Sequence, residues 1–380
     1  MYSSRMDDIV EAISIKYNNI VYEKKASGED VIVLSLGEAF FDIPLYPFDD
    51  LPFPEIYHYS HSRGILPLRE KLSVYFNSEY DFDFNPENEI IITAGSKVAV
   101  HMSFMALLEP SDEVIILEPY WVSYTEQVKL CNANPVTVPL NTPIDEIQRY
   151  ITPKTKCIVI NTPNNPAGKI YTKEELETLL LIAQEHNIYL LSDEAYSDFV
   201  PENNQFISLG SIDSSLKNSI VCNSISKNYG ISGWRLGYVI SNEKLIFQIL
   251  KINQHLITCP ATILEYYIEK HFDDIIKITK PQIKTIVEFR ARVASYMKSL
   301  GLSFSDGEAA WYFFLSISPT KLSSNEFSMR LLNEYNVCVV PGVGYGKTCD
   351  SYVRLAVGSE SWERVKLGID KIKELIIKTS

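Results

Sequence analysis

The sequence has no closely spaced cysteine pair: Cys131, Cys157, Cys222, Cys259, Cys338 and Cys349 are scattered along 380 residues. Without a Cys-x-x-Cys spacing, a chain of this length reads as carrying reduced thiols, not a disulfide framework or a zinc site. The six histidines never take the i, i+4 spacing of an HExxH site, so no metal site is expected. No apolar run approaches the roughly 18 residues that a membrane span needs. The N-terminal stretch lacks a basic segment followed by an apolar one, so no secretory signal is visible. Fixed-period repeats, low-complexity segments and Gly/Ser linkers are missing too. Basic excess is also lacking: 35 Lys and Arg face 48 Asp and Glu, for a net charge of −13. That balance argues against non-specific binding to nucleic acid or to an anionic membrane. The absences describe an expected soluble, cytoplasmic protein with neither kind of partner.

Against these stand 46% hydrophobic and 12% aromatic residues, enough for a large core and two or three domains. Charged residues at 22% lie near the globular average, which excludes a disordered chain. Short apolar runs recur, each followed by a helical stretch. Ile90–Thr93 leads into a helix expected over 96–108. Glu113–Leu117 and the runs 157–161, 188–192, 219–223 and 236–240 have the continuous apolar character of strands buried on both faces. Thr172-Lys173-Glu174-Glu175 is a capping box that opens a helix to about His186. The alternation predicts an α/β fold with a mainly parallel sheet covered on both sides. Past about residue 280 the texture changes. A helix over 282–300, strands at 311–317 and 337–340, and an amphipathic helix over 360–378 indicate a smaller α+β domain.

Open parallel sheets bind ligands in loops at the carboxyl ends of their strands, and the polar clusters fall there. They are Ala94-Gly95-Ser96-Lys97, the run from Asn161 to Gly168, Asp193-Glu194-Ala195-Tyr196, and Ser224-Ile225-Ser226-Lys227. The first joins a strand to a helix start through a glycine. Its free N–H groups and the helix dipole suit a phosphate, although an ordinary strand–helix turn looks the same. Asp193 closes an apolar strand, where an unpaired carboxylate is costly. Its partner is either a structural cation or a protonated heterocyclic nitrogen. Lys227 follows an inner strand, where desolvation and nearby cations lower an amine pKa towards nucleophilicity; a surface lysine is the plainer alternative. Arg235, in Gly233-Trp234-Arg235-Leu236-Gly237, carries the planar fork that grips phosphate.

Taken together, these features resemble the class I/II aminotransferases of pyridoxal-phosphate (PLP) fold type I, over nearly the whole chain. Gly37-Glu38-Ala39-Phe40-Phe41-Asp42-Ile43-Pro44 is similar to the family's GEPDFDTP segment. Tyr59, with Gly64 to Arg69, follows the YxxxxGxxxLR pattern. Pro119-Tyr120-Trp121-Val122-Ser123-Tyr124 resembles a motif of the prokaryotic aspartate-aminotransferase-like subgroup. Asn161 to Gly168 follows NxPxNPTG, Asp193 to Tyr196 follows DExY, and Ser224 to Arg235 follows SxSKxxxxxxxR. Ala309-Ala310-Trp311-Tyr312-Phe313, Val340-Pro341-Gly342 and Tyr352-Val353-Arg354-Leu355-Ala356 resemble small-domain landmarks.

The resemblance implies a large domain with a mainly parallel seven-stranded sheet between helices, over 47–280. It also implies a smaller α+β domain over 281–380 and an N-terminal segment, 1–46, packing with it. Lys227 is implied as the residue that holds PLP as a Schiff base and then shuttles a proton. Asp193 would pair with the ring nitrogen, Tyr196 and Asn165 with the ring oxygen, and Trp121 would stack on the ring face. Gly95, Ser96, Lys97, Ser224 and Arg235 would hold the phosphate. Tyr59 would reach the phosphate in a neighbouring subunit, implying a homodimer with shared sites. Arg354, the Gly37 backbone and Asn165 would clamp a substrate α-carboxylate. The implied reaction moves the amino group of an L-amino acid to a 2-oxo acid through a ping-pong pyridoxamine form. A PLP-dependent lyase on the same constellation is the alternative.

Some residues depart from the pattern. Ala167 replaces threonine. Arg63 stands before Gly64, facing either an acidic substrate group or solvent, and His255 is a candidate either for specificity or for packing. No basic residue for a distal carboxylate is assignable. Ser224-Ile225-Ser226-Lys227 also fits the SxxK of serine β-lactamases, but the accompanying SxN-type and KTG elements are missing. The run from Val339 to Thr348 looks like a phosphate loop, yet Pro341 stands where Walker spacing needs glycine. Aminotransferase-like transcription regulators carry a DNA-binding module ahead of this fold, and Gly37 lies too early to leave room for one.

Overall fold

Seven strands form one sheet in the order Ile90–Thr93, Gly237–Ser241, Ser219–Ser224, Tyr189–Asp193, Thr155–Asn161, Glu113–Leu117 and Asn134–Val138. This is a computed structural model describing residues 2–380. Gly237–Ser241 runs antiparallel to both its neighbours, and the other pairings are parallel.

Both faces of the sheet are buried, which is why its strands read as unbroken apolar runs. Ile90, Ile92, Ile158, Ile160, Leu190 and Val221 join one core. The alternate residues Ile91, Cys157, Val159, Leu191, Ile220 and Val239 join a second on the opposite face. The helix expected from the capping box is Lys173–Glu185, with both reciprocal bonds between Thr172 and Glu175 formed. The helix expected over 96–108 is Ser96–Leu107. Asn134–Val138 escaped the sequence reading because it lies at the sheet edge, starts exposed and contains Pro135.

A separate core gathers Trp311, Phe313, Leu315, Phe327, Leu331, Val353, Leu355 and Ile369. It is built on the antiparallel sheet Val340–Pro341, Tyr352–Ala356, Tyr312–Ser316. The run 337–340, read as one strand, is two. Val337–Cys338 pairs in parallel with the N-terminal strand Ile32–Val33, and Val340–Pro341 joins the other sheet. The helix expected from about Gln282 belongs to Thr262–Ser299, which has one non-helical residue, His271, and carries Pro281 inside it. Pro281 and Lys277 are exposed, so water meets the carbonyl that the missing N–H leaves free. No helix among the described residues is long and apolar enough to cross a membrane.

Candidate active site

The register of the sheet decides where polar side chains meet. Asn161 pairs with Asp193, and Asp193 with Cys222, so two parallel strands end level and the third, Ser219–Ser224, runs two residues further. The antiparallel strand begins at Gly237, opposite Ser224 and Thr93. Arg235, two residues earlier, therefore arrives at the same rim from the opposite direction. It sits in left-handed backbone, φ +57°, a conformation held at a cost of about 1 kcal/mol or more in a non-glycine residue. At the rim opens a cavity of about 230 Å³ lined by Gly37, Ser96, Lys97, Trp121, Asn165, Asp193, Tyr196, Ser224, Lys227, Arg235 and Arg354. Residues expected from eight separate stretches of sequence thus share one space. Tyr59 does not: it is 84% exposed on the chain's surface.

Asp193 lies at the cavity base. Its carboxylate accepts a bond from the Tyr124 hydroxyl at 2.6 Å and from the Ala195 N–H at 3.2 Å. Burial raises its pKa from 3.8 to about 6, against the pull of those two donors. The Lys227 Nζ donates to the Gly37 carbonyl at 2.7 Å and lies 5.8 Å from the Trp311 ring. Burial lowers its pKa to about 8, opposed by Glu38 and aided by Arg235, Arg354 and Lys97. About a tenth is then the free amine at pH 7, against well under a thousandth for an unperturbed lysine.

On the far wall, the buried Arg354 donates through Nη1 to Asn165 Oδ1 at 3.2 Å and through Nη2 to the Ser35 carbonyl. Its Nε has no partner among the described residues. Asn165 Nδ2 in turn donates to the Tyr196 hydroxyl at 3.3 Å, and Asn161 fixes the Asn165 backbone by accepting its N–H at 2.6 Å. At the phosphate-like end, the Ser96 and Lys97 N–H groups stand in the first turn of Ser96–Leu107, where helices leave donors free. Ser224 caps the short helix that carries Lys227, accepting the Ser226 N–H at 3.1 Å. Trp121 lies beside the cavity with the Lys97 ammonium 5.0 Å from its ring.

The charges of this cavity are not balanced from within. Asp193, Lys227, Arg235 and Arg354 form no ion pair among the described residues. A buried carboxylate at one place and guanidinium groups at two others call for a guest of opposite pattern. A guest carrying a cationic nitrogen for Asp193, a phosphate for Arg235 and a carboxylate for Arg354 would balance them. The residues therefore fit PLP together with an amino acid. A larger groove, about 1240 Å³, lies where Tyr80 and Val200 face the helix Thr262–Ser299. It is less telling, since two of its three lysines find acids of its own wall, Lys280 with Glu79 and Lys284 with Glu202.

Several contributors were not legible in sequence. Ser14 and Asn18, on the helix Ile13–Ala26, line the cavity, and Asn18 accepts the Ser35 hydroxyl at 2.7 Å. Tyr312 joins Tyr196 hydroxyl to hydroxyl at 2.9 Å. The glycine-rich run that looked like a phosphate loop does cradle an anion, but a protein one. The Lys347 and Thr348 N–H groups donate to the Glu118 carboxylate at 2.9 and 3.0 Å. Arg63, given either an acidic substrate group or solvent, donates instead to the Glu87 carbonyl at 2.6 Å. His255 is exposed and lines no part of this cavity. No cluster suited to a metal ion occurs among the described residues.

Comparison with known proteins identifies the family. A family profile described as aminotransferase class I and II matches residues 49–372. The chain is 31% identical to aromatic-amino-acid aminotransferase 2 of Thermococcus litoralis over 98% of each chain. It is 34% identical to (5-formylfuran-3-yl)methyl phosphate transaminase of Methanocaldococcus jannaschii, over 93% of this chain and 94% of the other. Among solved structures, aspartate aminotransferase from Thermus thermophilus with maleate aligns with a TM-score of 0.88 at 28% identity, over 99% of each chain.

Proposed function

This chain belongs to the class I and II aminotransferases, a PLP-dependent family, and from that premise we propose how its own residues carry amino transfer between an L-amino acid and a 2-oxo acid. The observation that supports the reading is the unbalanced charge pattern of the cavity. When bound, PLP supplies an electron-withdrawing ring that stabilises the negative charge left on the amino-acid Cα once its proton is gone. Asp193, which accepts the Tyr124 hydroxyl, would pair with the ring nitrogen and keep it protonated, and Trp121 would lie against the ring. Arg235, the Ser224 hydroxyl, Gly95, Ser96 and the N–H of Lys97 hold the phosphate. Arg354 takes the substrate carboxylate in a two-pronged grip, with Asn165 and the Gly37 backbone beside it. Lys227 would hold the cofactor through Nζ, and once released as the free amine the same Nζ would be the group placed to take up and return a proton at the substrate Cα.

Tyr59 serves the phosphate site of a second subunit in a homodimer. Its ring is exposed, and its loop is held rigidly: the Thr262 hydroxyl donates to the His58 carbonyl at 2.8 Å and the Ser60 hydroxyl donates to Glu265 at 2.7 Å. Tyr57 and Leu256, in this region, are likewise exposed, an apolar surface of the kind that subunit contacts cover.

Gly95 gives a direct test of the phosphate seat. Its φ is +88°, and a Cβ there would lie 2.6 Å from Arg235 Nη2. Gly95→Ala is expected to displace the guanidinium and weaken PLP binding about tenfold, a cost of about 1.4 kcal/mol. Fluorescence titration of the apoprotein with PLP measures it, and an unchanged Kd contradicts this placement of the phosphate. The reaction itself is tested by adding a panel of amino acids to the PLP-loaded protein. Transfer predicts a change in cofactor absorbance that a 2-oxo acid reverses. Release of ammonia and a 2-oxo acid without any acceptor points to a lyase instead.

A further inference from the structure

Among the described residues the buried hydroxyl of Tyr312 has a single hydrogen-bond partner, the hydroxyl of Tyr196, at 2.9 Å. Which of the two donates follows from the groups around them. Arg354 only donates, so the Asn165 amide must turn its oxygen towards Arg354 and its nitrogen towards Tyr196. The Tyr196 oxygen is thereby an acceptor from Asn165 at 3.3 Å. A phenol has one proton to give. If Tyr196 gives its own to an oxygen in the cavity, the proton on the Tyr196–Tyr312 bond must come from Tyr312. Tyr312 has nowhere else to place it among the described residues.

We propose that Tyr312 is a positioning residue: by donating to Tyr196, it directs the Tyr196 proton into the cavity and strengthens the bond that Tyr196 gives to the cofactor ring oxygen. This rests on the reading that Tyr196 and Asn165 face that oxygen. Hydrogen bonds in series polarise one another, by perhaps 10–30% per bond, so two donors to Tyr196 make it a better donor in turn. The ring of Tyr312 also lies 5.0 Å from the Arg354 guanidinium, and a Cβ on Gly37 would be 3.2 Å from its hydroxyl. One hydroxyl therefore joins the wall that receives the substrate carboxylate to the residue that serves the cofactor. It comes from the strand Tyr312–Ser316, held opposite Tyr352–Ala356, the strand that carries Arg354.

Tyr312→Phe tests this in the PLP-loaded protein by absorbance against pH. A donor to the ring oxygen draws off the negative charge that holds the proton on the Lys227 nitrogen. Weakening that donor therefore moves the midpoint of the absorbance change to higher pH, by about 0.5 unit. The other charges acting on that nitrogen, Glu38, Arg235, Arg354 and Lys97, are unchanged by the substitution. Tyr196→Phe is expected to move the midpoint further in the same direction, and the double variant no further than Tyr196→Phe alone. A parent midpoint in Tyr312→Phe, with a shifted one in Tyr196→Phe, overturns the role of Tyr312. No shift in either overturns the placement of Tyr196 as well. The phenyl ring keeps the edge contact with Tyr196, 5.5 Å between centroids, and thermal unfolding of the apoprotein verifies that the variant folds as the parent does.

Discussion

Lys227→Ala is expected to reduce kcat for amino transfer by about 10²–10⁴-fold from loss of the proton carrier alone, with loss of covalent attachment adding to it. The side chain has no substitute nearby. Its Nζ bonds to the Gly37 carbonyl at 2.7 Å, while the other lysine of the cavity, Lys97, lies with its ammonium 5.0 Å from the Trp121 ring. The fold has little reason to change, because removing Nζ leaves one carbonyl to be met by water. The phosphate and ring contacts do not depend on Lys227, so the variant should still bind PLP without a covalent link. Small primary amines added to it should restore part of the rate, since they replace the missing base. Steady-state kinetics with and without such an amine measure both effects. A variant that turns over at the parent rate sinks the assignment.

Asp193→Asn is expected to lower kcat by about 10²–10³-fold, the cost of losing one preorganised charge from a buried site. An amide accepts the Tyr124 hydroxyl as the carboxylate does, so the geometry survives while the charge that keeps the ring nitrogen protonated disappears. A second readout comes from the apoprotein. Burial raises the Asp193 pKa from 3.8 to about 6, so the native state holds a proton that the unfolded chain has already lost. Its contribution to stability is complete below pH 3.8 and is lost as pH rises through about 6. Relative to the parent, the Asn variant should gain on the order of 3 kcal/mol between those limits. Denaturant unfolding of both proteins at pH 4 and pH 7 measures the difference, and parallel pH profiles contradict a buried, unpaired carboxylate.

Much of the site was legible because its residues come in short contiguous motifs at strand ends. Asp193 closes an apolar run, Lys227 follows another, and Arg235 precedes a third; two-sided burial made those runs stand out. Residues whose role depends on distant packing were hidden. Tyr312 has the pattern of a core strand residue, and nothing local reveals that its hydroxyl meets Tyr196, 116 positions earlier. Ser14 and Asn18 lie on a helix that buries only Tyr17 and Val21, so no apolar stripe announces which face meets the cavity. Pro341 rightly excludes the run from Val339 to Thr348 as a nucleotide loop, but what the run does bind was hidden: its N–H groups suit any anion, and here the anion is Glu118. In the fold, the edge strand Asn134–Val138 and the first half of Thr262–Ser299 were missed, where partial exposure and Pro281 blur the periodicity.

The most direct measurement of the central claim is reduction of the PLP-loaded protein with borohydride, followed by proteolysis and mass spectrometry. The account predicts one stable cofactor adduct per chain, on the peptide containing Lys227. An adduct on another lysine such as Lys97, or none at all, would contradict it.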